Sequence, residues 1–577
     1  MKSKIIGLTT MTESAAAYLK DGELKIAIEE ERFSRVKHQG GIPFMSIDYI
    51  LKKENISLDE IDILAIYWNP FNFFYRLIVW LKISILSPKS FLIKFKRLLS
   101  VSQGTSGAYS GWIHLFFIKS ILKKKYGKIP KKIVFFDHHL SHMASSIYWF
   151  GCKNSDILIM DGSGETASTT LGSFNSNIFK KIKQINLPNS LGHFYSYFTS
   201  FIGFKMLDGE YKLMGLAPYG KPIFKQWLKQ YILIPHTSFF YKLNIFNIDY
   251  HSAFKKKFNK VIIKKFHKPN SDTYGKIDKK YLDLASSVQE LFEECATNLV
   301  EYLKIKNNNQ NLHIIGGCGL NCKSNGVILN KKIYKKIYVN PVPNDSGCSV
   351  GAAFLAFKNK FNTEPKKVFS PYLGYELEND IIKKELNKIE NKLLKFEYLN
   401  DDKMIKLAAD LLSKSNIISW CNGKMEFGAR ALGNRSFLAD PRDEKITIQL
   451  NERIKKRELF RPFAPSVLEE NKNDFFDLSQ NSDYMSFIVK VQTDKQKLIP
   501  AVTHYDNTAR PQTVSKTTNL KYWNLINEFY KITNIPVLLN TSFNINEPIA
   551  CTEYDCINTF KNSKVNYLFI GNYFVQK

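Results

Sequence analysis

Two stretches of the chain share one pattern of hydrophobic and polar positions. Residues 5–10 and 15–20 read as strands, Asp21-Gly22 as a tight turn, and residues 24–28 as the returning strand. The pattern recurs from Asp156. Residues 157–160 form a short buried strand, Asp161-Gly162-Ser163-Gly164 turns sharply, and residues 166–171 return. Each unit runs on into helical texture, which predicts a duplicated α/β domain. Residues 282–303 place Leu284, Val288, Leu291, Phe292, Cys295, Leu299 and Leu303 on one helical face. Residues 312–315 then read as a strand entering Gly316-Gly317.

Texture changes after Ala353. Residues 358–371 mix charge with turn formers and are assigned as a linker. This sets a first domain at 1–360 and a second α/β domain at 370–577, with strands expected at 417–420, 485–491, 537–539 and 567–570. The length, 577 residues, allows about three to five structural units at roughly 100–200 residues each.

Composition is that of a globular protein, with 44% hydrophobic and 23% charged residues. The eight cysteines are scattered and include no Cys-x-x-Cys pair, so neither a structural zinc site nor a disulfide framework is expected. Residues 1–7 carry no signal-peptide apolar run, and a reducing cytoplasm is the expected location. Net charge is +29, which suits phosphate-bearing partners. The lysine runs at 123–125, 255–257 and 264–265 lack regular aromatic interleaving, so the surplus reads as a background over the chain rather than a nucleic-acid face. Residues 71–99 are the most apolar stretch, yet cations interrupt them before the roughly 20 residues of a membrane span. They read as a helical cover over a groove, with peripheral membrane contact as the other reading.

Two constellations carry chemistry. His138 and His142, four apart after a strand-like 133–136, share a helical face and can hold one metal. Asp161 precedes Gly162 and Gly164, whose backbone can approach a phosphate. Gly316-Gly317 suits an adenosine or its phosphate, and Asp345 supplies a third ligand. Two nitrogens and a carboxylate leave open positions on Fe2+ or Zn2+. The second constellation is cationic: Arg430 in Phe427-Gly428-Ala429-Arg430, Lys455 and Arg461 in residues 455–465, Arg510, and the hydroxyls of Thr541 and Ser542. Guanidinium groups form bidentate contacts with phosphate and carboxylate, and lysine acts as a compact cation.

The order of these motifs resembles the actin/Hsp70/sugar-kinase superfamily. More narrowly, residues 29–35, 138–146, 208–220 and 316–326 resemble the O-carbamoyltransferases of nodulation and antibiotic biosynthesis. The resemblance implies an actin-like duplicated N-terminal domain related to the tRNA threonylcarbamoyl transferases and a YrdC-like C-terminal domain. It implies ATP with Mg2+, a divalent metal on His138, His142 and Asp345, and carbamoyl phosphate as donor. Carbamoyl-adenylate is then made by Arg430, Lys455, Arg461, Arg510 and Ser542, and its nucleotide is held at Gly162, Gly164, Gly316, Gly317 and Asn321. Asp161, Lys455 and Arg510 are the implied catalytic groups, and Glu13 is the candidate base where the chain departs from the family pattern. The acceptor is a hydroxyl of a small molecule or glycan, and the oligomeric state, a homodimer included, is left open. The alternative is a tRNA threonylcarbamoyl-type enzyme. Two departures stand out: Thr12-Glu13 replaces a usual His-Asp pair, and Lys424 stands where Arg is expected.

Overall fold

The computed structural model describes residues 3–86, 112–268, 277–389 and 394–577. The chain divides into two compact units. One comprises residues 1–30 and 38–368, the other residues 31–37 and 369–577. The two repeats of the first unit interlock through their terminal helices, so the roughly three to five units expected from length resolve into two.

The first unit holds two five-stranded sheets. The first is built from β1 (Lys4–Thr9), β2 (Ala15–Lys20), β3 (Glu23–Glu29), β4 (Ile63–Ile66) and β5 (Lys132–Phe135), in the order β3-β2-β1-β4-β5. The second uses β6 (Asn154–Met160), β7 (Ala167–Asn175) and β8 (Ile178–Asn186). A small ribbon of β9 (Leu233–Pro235) and β10 (Tyr241–Leu243) stands apart from it. β11 (Asn311–Ile315) and β12 (Lys336–Tyr338) complete the sheet in the order β12-β11-β6-β7-β8. Read from its other edge, the second sheet repeats the first: an antiparallel three-stranded meander, then two parallel strands. This is the duplicated actin/sugar-kinase-like α/β fold. The turn between β2 and β3 forms because Asp21 and Gly22 both take positive φ, +53° and +78°, as a twisted two-residue hairpin requires.

Each repeat ends in a helix that packs on the other repeat's sheet. His138–Phe150 follows β5 and lies on β6 and β11, while Cys348–Phe361 follows β12 and lies on β1 and β2. The two helices cross at Gly351, where a Cβ would stand 1.9 Å from the Ser141 carbonyl oxygen. Gly7 allows the same approach on the sheet side, against the Ser349 carbonyl. The long predicted helix spans Lys279–Lys306, with Leu284, Val288, Leu291, Phe292, Cys295, Leu299 and Leu303 buried.

The apolar stretch forms a helix at Phe73–Leu86. Its continuation over 87–99 lies outside the described residues. No helix among the described residues is long and apolar enough to cross a membrane.

The second unit is built from β13 (Tyr372–Glu376), β14 (Lys395–Tyr398), β15 (Ile418–Cys421), β16 (Lys424–Glu426), β17 (Arg435–Ala439), β18 (Ala464–Leu468), β19 (Val489–Lys490), β20 (Thr508–Ala509), β21 (Gln512–Val514), β22 (Val537–Ser542), β23 (Tyr567–Ile570) and β24 (Tyr573–Gln576). Eight of them form a mixed sheet in the order β14-β24-β23-β15-β17-β22-β18-β21. The strand predicted over 485–491 shrinks to β19, because its partner β20 offers only Thr508 and Ala509 for pairing, and Met485, at a φ of +56°, lies outside the extended run. Arg435 is fully buried. Its guanidinium donates to the carbonyls of Asn422, Gly423, Asn434, Tyr375 and Cys551, which makes it an internal brace for the loops around the sheet. Residues 31–37 belong to this unit through Arg32, which donates to the Gly428 carbonyl (2.9 Å), and Arg35, which donates to the carbonyls of Pro548 and Ile549.

Candidate functional site

In the first unit the His138–Phe150 helix begins with Asp137 as its cap, whose carboxylate accepts from the Leu140 amide. One helical turn puts the imidazoles of His138 and His142 on one face, both wholly buried. Their Nε2 atoms are 3.0 Å apart. Asp161 Oδ2 lies 3.1 Å from His138 Nε2, and Asp345 Oδ1 lies 3.6 Å from His138 Nε2 and 3.8 Å from His142 Nε2. One atom from each of the four residues falls within 4.8 Å of the others.

Each group is held from behind. Asp161 Oδ1 accepts from the Gly317 amide at 3.1 Å. Gly316 must be glycine: its φ is +87°, and a Cβ would sit 2.2 Å from the Met160 carbonyl oxygen. Asp345 Oδ2 accepts from Thr12 Oγ1 and Tyr67 Oη, both at 3.2 Å. Glu165, next to the Asp-Gly-Ser-Gly turn, caps the helix by accepting from the His138 amide at 3.1 Å. Gly164 lets this turn lie against the His139 ring, while His139 Nδ1 engages Thr170 at 2.7 Å. Gly162 stands by Gly192 and His193.

The electrostatics are those of anions sharing too few cations. Burial alone would depress His138, yet Asp345 and Asp161 push it up to about 9. Burial and the charge of His138 hold His142 well below its usual value. Burial raises Asp345 to about 7, and Asp161 and Glu13 add to the rise. For Asp161, burial works against the hydrogen bond and charge of His138, which together hold it well below the usual carboxylate range. The donor set fits a divalent ion. Two nitrogens about 2.1 Å from one centre at a right angle are about 3.0 Å apart, the spacing found between the two Nε2 atoms. Asp161, expected as a catalytic group, belongs by position to the donor set. The buried Cys348 thiol also reaches these histidines, but burial raises its pKa well above the ordinary value and keeps it neutral.

Glu13 lies beside this cluster with a φ of +50°. Its carboxylate accepts from the Asn344 side-chain amide and lies 3.1 Å from His38 Nδ1. Asp208 stands 3.6 Å from His38 Nε2. His38 is not among the residues expected at a site; its only signal in the sequence is its place at the end of a basic run. Asn321, expected at the nucleotide, caps Cys322–Asn330 through the Ser324 amide and exchanges two hydrogen bonds with the Gln289 amide at 3.0 and 3.1 Å.

In the second unit Lys455 is 2% exposed. Its ammonium donates to the Ser542 carbonyl, to Ser542 Oγ (3.0 Å) and to Asn544 Oδ1 (2.9 Å). Burial first, then the like charges of Arg457 and Arg461, hold Lys455 well below its usual value. Arg461 also pairs with Glu458 at 3.7 Å. Arg430 and Arg510 lie half-buried in the same unit. A buried amide knot links their segments to the Ser542 strand: Asn540 donates to the Ala431 carbonyl (3.2 Å) and to Gln512 Oε1 (3.1 Å), and Gln512 donates to the Leu432 carbonyl (2.8 Å).

An actin-like duplicated unit with a buried histidine–carboxylate cluster, joined in one chain to a unit with a buried lysine among arginines, defines a two-domain group-transfer enzyme. The family comparisons narrow this. The carbamoyltransferase N-terminus model matches residues 4–354 and the carbamoyltransferase C-terminus model matches residues 409–577, so the chain belongs to the carbamoyltransferase family. It is 34% identical to the uncharacterized protein sll1178 of Synechocystis over 98% of this chain and 95% of that one. It is 33% identical to the nodulation protein NolNO of Sinorhizobium fredii over 99% of this chain and 79% of that one. With nodulation protein NolO of Bradyrhizobium diazoefficiens it shares 33% identity over 76% and 79% of the two chains. The protein is a carbamoyltransferase.

Proposed function

We propose that the protein is an ATP-dependent O-carbamoyltransferase that builds carbamoyl-adenylate in its second unit and passes the carbamoyl group, at its first unit, to a hydroxyl of a small molecule or glycan. The observation that carries this reading is Lys455: a buried ammonium facing Arg457 and Arg461, with Ser542 and Asn544 as its hydrogen-bond acceptors. Ammonium and guanidinium groups gathered in one unit suit phosphate oxygens, the lysine as a point charge and the arginines as bidentate donors. Carbamoyl phosphate is hydrolysed there to carbamate and phosphate. A carbamate oxygen then attacks the α-phosphorus of Mg2+-bound ATP and pyrophosphate leaves, while Lys455 and Arg461 offset charge on the phosphoryl oxygens. Arg430, Arg510 and the Ser542 hydroxyl orient the same groups.

In the first unit His138, His142, Asp161 and Asp345 would hold Fe2+ or Zn2+, which when bound supplies a Lewis acid toward phosphoryl and carbonyl oxygens. The Gly316-Gly317 turn and Gly162–Gly164 receive the nucleotide. The acceptor oxygen forms a bond to the carbamoyl carbon, the bond from that carbon to the AMP oxygen breaks, and the hydroxyl proton passes to His38. Glu13 fixes the His38 ring through Nδ1. This pair takes the role left open by Thr12.

The test supplies ATP, carbamoyl phosphate and a panel of hydroxylated metabolites, and follows pyrophosphate, AMP and product mass. Lys455→Met is expected to abolish pyrophosphate release. His142→Ala is expected to keep that release and lose the carbamoylated product. Absence of both AMP and a carbamoyl mass gain with the wild type defeats the proposal.

A further inference from the structure

Residues 67–136 contain eleven Lys and two Arg and not one Asp or Glu, although acidic residues number 53 in the whole chain. The surplus charge is therefore not a uniform background. The same segment carries a cluster of exposed apolar side chains. On the Phe73–Leu86 helix, Phe74 (68%), Tyr75 (66%), Ile78 (51%) and Leu81 (49%) are exposed, at the spacing of one helical face. The helix thus turns its apolar face outward. Its other face carries Arg76, which donates to the carbonyls of Gly164 (2.6 Å) and Glu165 (2.8 Å). Phe71 leads into this helix and meets Phe116 edge-on at 5.8 Å, which ties it to a second exposed segment ending at Phe117 (60%). Ile118–Tyr126 follows, with Lys119, Lys123 and Lys124 exposed and without an ion pair among the described residues.

We propose that this face, formed by residues 71–81 and 114–124, docks the protein on an anionic phospholipid bilayer. The aromatic and aliphatic side chains enter the headgroup–acyl boundary, and the lysines meet lipid phosphates. Charge selects this occupant. A second copy of the chain would bring two basic segments, neither with an acidic residue of its own, against each other. A nucleic acid would satisfy the lysines but offers nothing to Ile78 and Leu81, which have no ring for a base to stack on. Arg76 joins the docking helix to the turn beside Glu165, so the surface lies next to the histidine–carboxylate cluster. The binding stands apart from the transfer chemistry and is read without ATP.

The test is flotation of the full chain with vesicles of phosphatidylcholine alone, or of phosphatidylcholine mixed with phosphatidylglycerol, at low and high salt. Binding is expected only to the anionic vesicles and is expected to weaken with salt. Each of Lys119→Gln, Lys123→Gln and Lys124→Gln should weaken partitioning about fivefold, and the three together about a hundredfold. Phe74→Glu with Ile78→Glu, both at exposed positions, should abolish flotation while circular dichroism stays that of the wild type. Failure of the folded wild type to float with anionic vesicles overturns the proposal. So does flotation that survives Phe74→Glu with Ile78→Glu. A single-stranded RNA that binds the full chain and is lost only in the lysine variants, with no vesicle binding, assigns the surface to nucleic acid instead.

Discussion

Gly351→Ala tests whether the packing of two helices sets the distance between metal donors. The added Cβ would lie 1.9 Å from the Ser141 carbonyl oxygen, 2.8 Å from its carbon and 3.0 Å from the Ser145 nitrogen. These are backbone atoms of a regular helix, so rotamer changes give no relief. Van der Waals contact requires the helices to part by about 1.3 Å, and overpacking of this kind costs about 1–3 kcal/mol. Ser141 stands between His138 and His142, and Asp345 precedes the helix that carries Gly351. The 3.6 Å from Asp345 Oδ1 to His138 Nε2 would open accordingly. Loss of donor placement on that scale should weaken metal binding about 10–100-fold. The assay is metal content after dialysis against a limiting concentration of Fe2+ or Zn2+, alongside the thermal melt. Leu386→Ala in the second unit is the control. Leu386 is buried there, and its truncation should cost about 2–5 kcal/mol with metal content unchanged. A Gly351→Ala protein that melts and loads metal like the wild type would refute the reasoning.

Three further outcomes are expected. Arg435→Met strips donors from five carbonyls, at about 1 kcal/mol or more each, and should lower the stability read from urea unfolding by about 5 kcal/mol, with a lower urea midpoint. Arg435→Lys should restore little, because an ammonium cannot span that fork, and an unmoved midpoint for either variant contradicts the bracing role. Burial holds His313 down at about 3, against an ordinary 6.5, so below pH 6.5 the unfolded chain takes a proton that the folded protein refuses until about pH 3. That contribution is complete above pH 6.5 and is lost as pH falls toward 3, by up to about 4–5 kcal/mol; His313→Gln should flatten this part of the melting-temperature profile, and parallel profiles would discount it. His38→Gln should slow product formation by about 10²–10⁴-fold while pyrophosphate release continues, and an equal loss of both steps would remove His38 from the transfer step.

How far the chain discloses itself depends on the range of the interaction. Local periodicity shows the first meander and the first two strands of the second, because strand alternation and the Asp21-Gly22 and Asp161-Gly162 turns are written within ten residues; β8, with a largely polar and exposed pattern, is not legible. The His138/His142 pair is legible because one helical turn is enough to align it. Arg435 defeats inspection: it sits in a run of cations around Arg430 and differs only in the carbonyls that other loops bring to it. The pairing of Glu13 with His38 is equally hidden. It spans 25 residues and rests on positive φ at both positions, +50° and +54°. The predicted strand over 485–491 shortens because its pairing partner, distant in sequence, is only two residues long. Residues 31–37 joining the second unit depends on long-range carbonyl partners of Arg32 and Arg35 that no local pattern encodes.

Duplication explains why the donors of the first unit come from such distant positions. His138 opens the helix after the last strand of the first repeat, and Asp345 stands at the start of the helix after the last strand of the second. Asp161 lies in the turn after the first strand of the second repeat, and Thr12 and Glu13 lie in the same turn of the first. The contacts follow that correspondence. Asp161 reaches the His138 imidazole across the repeats, and Thr12 reaches the Asp345 carboxylate in the mirrored direction. Because each terminal helix packs on the opposite sheet, the four positions converge without any long connecting loop. The two halves have then diverged in chemistry. The second repeat spends its turn on a carboxylate that completes the donor set. The first spends its turn on a hydroxyl that steadies Asp345 and on Glu13, one residue further, which turns to His38. A fold that places two equivalent turns against one cluster thus gives the proposed division of labour a structural basis: one turn supplies a carboxylate to the cluster, the other a hydroxyl and a carboxylate that faces His38.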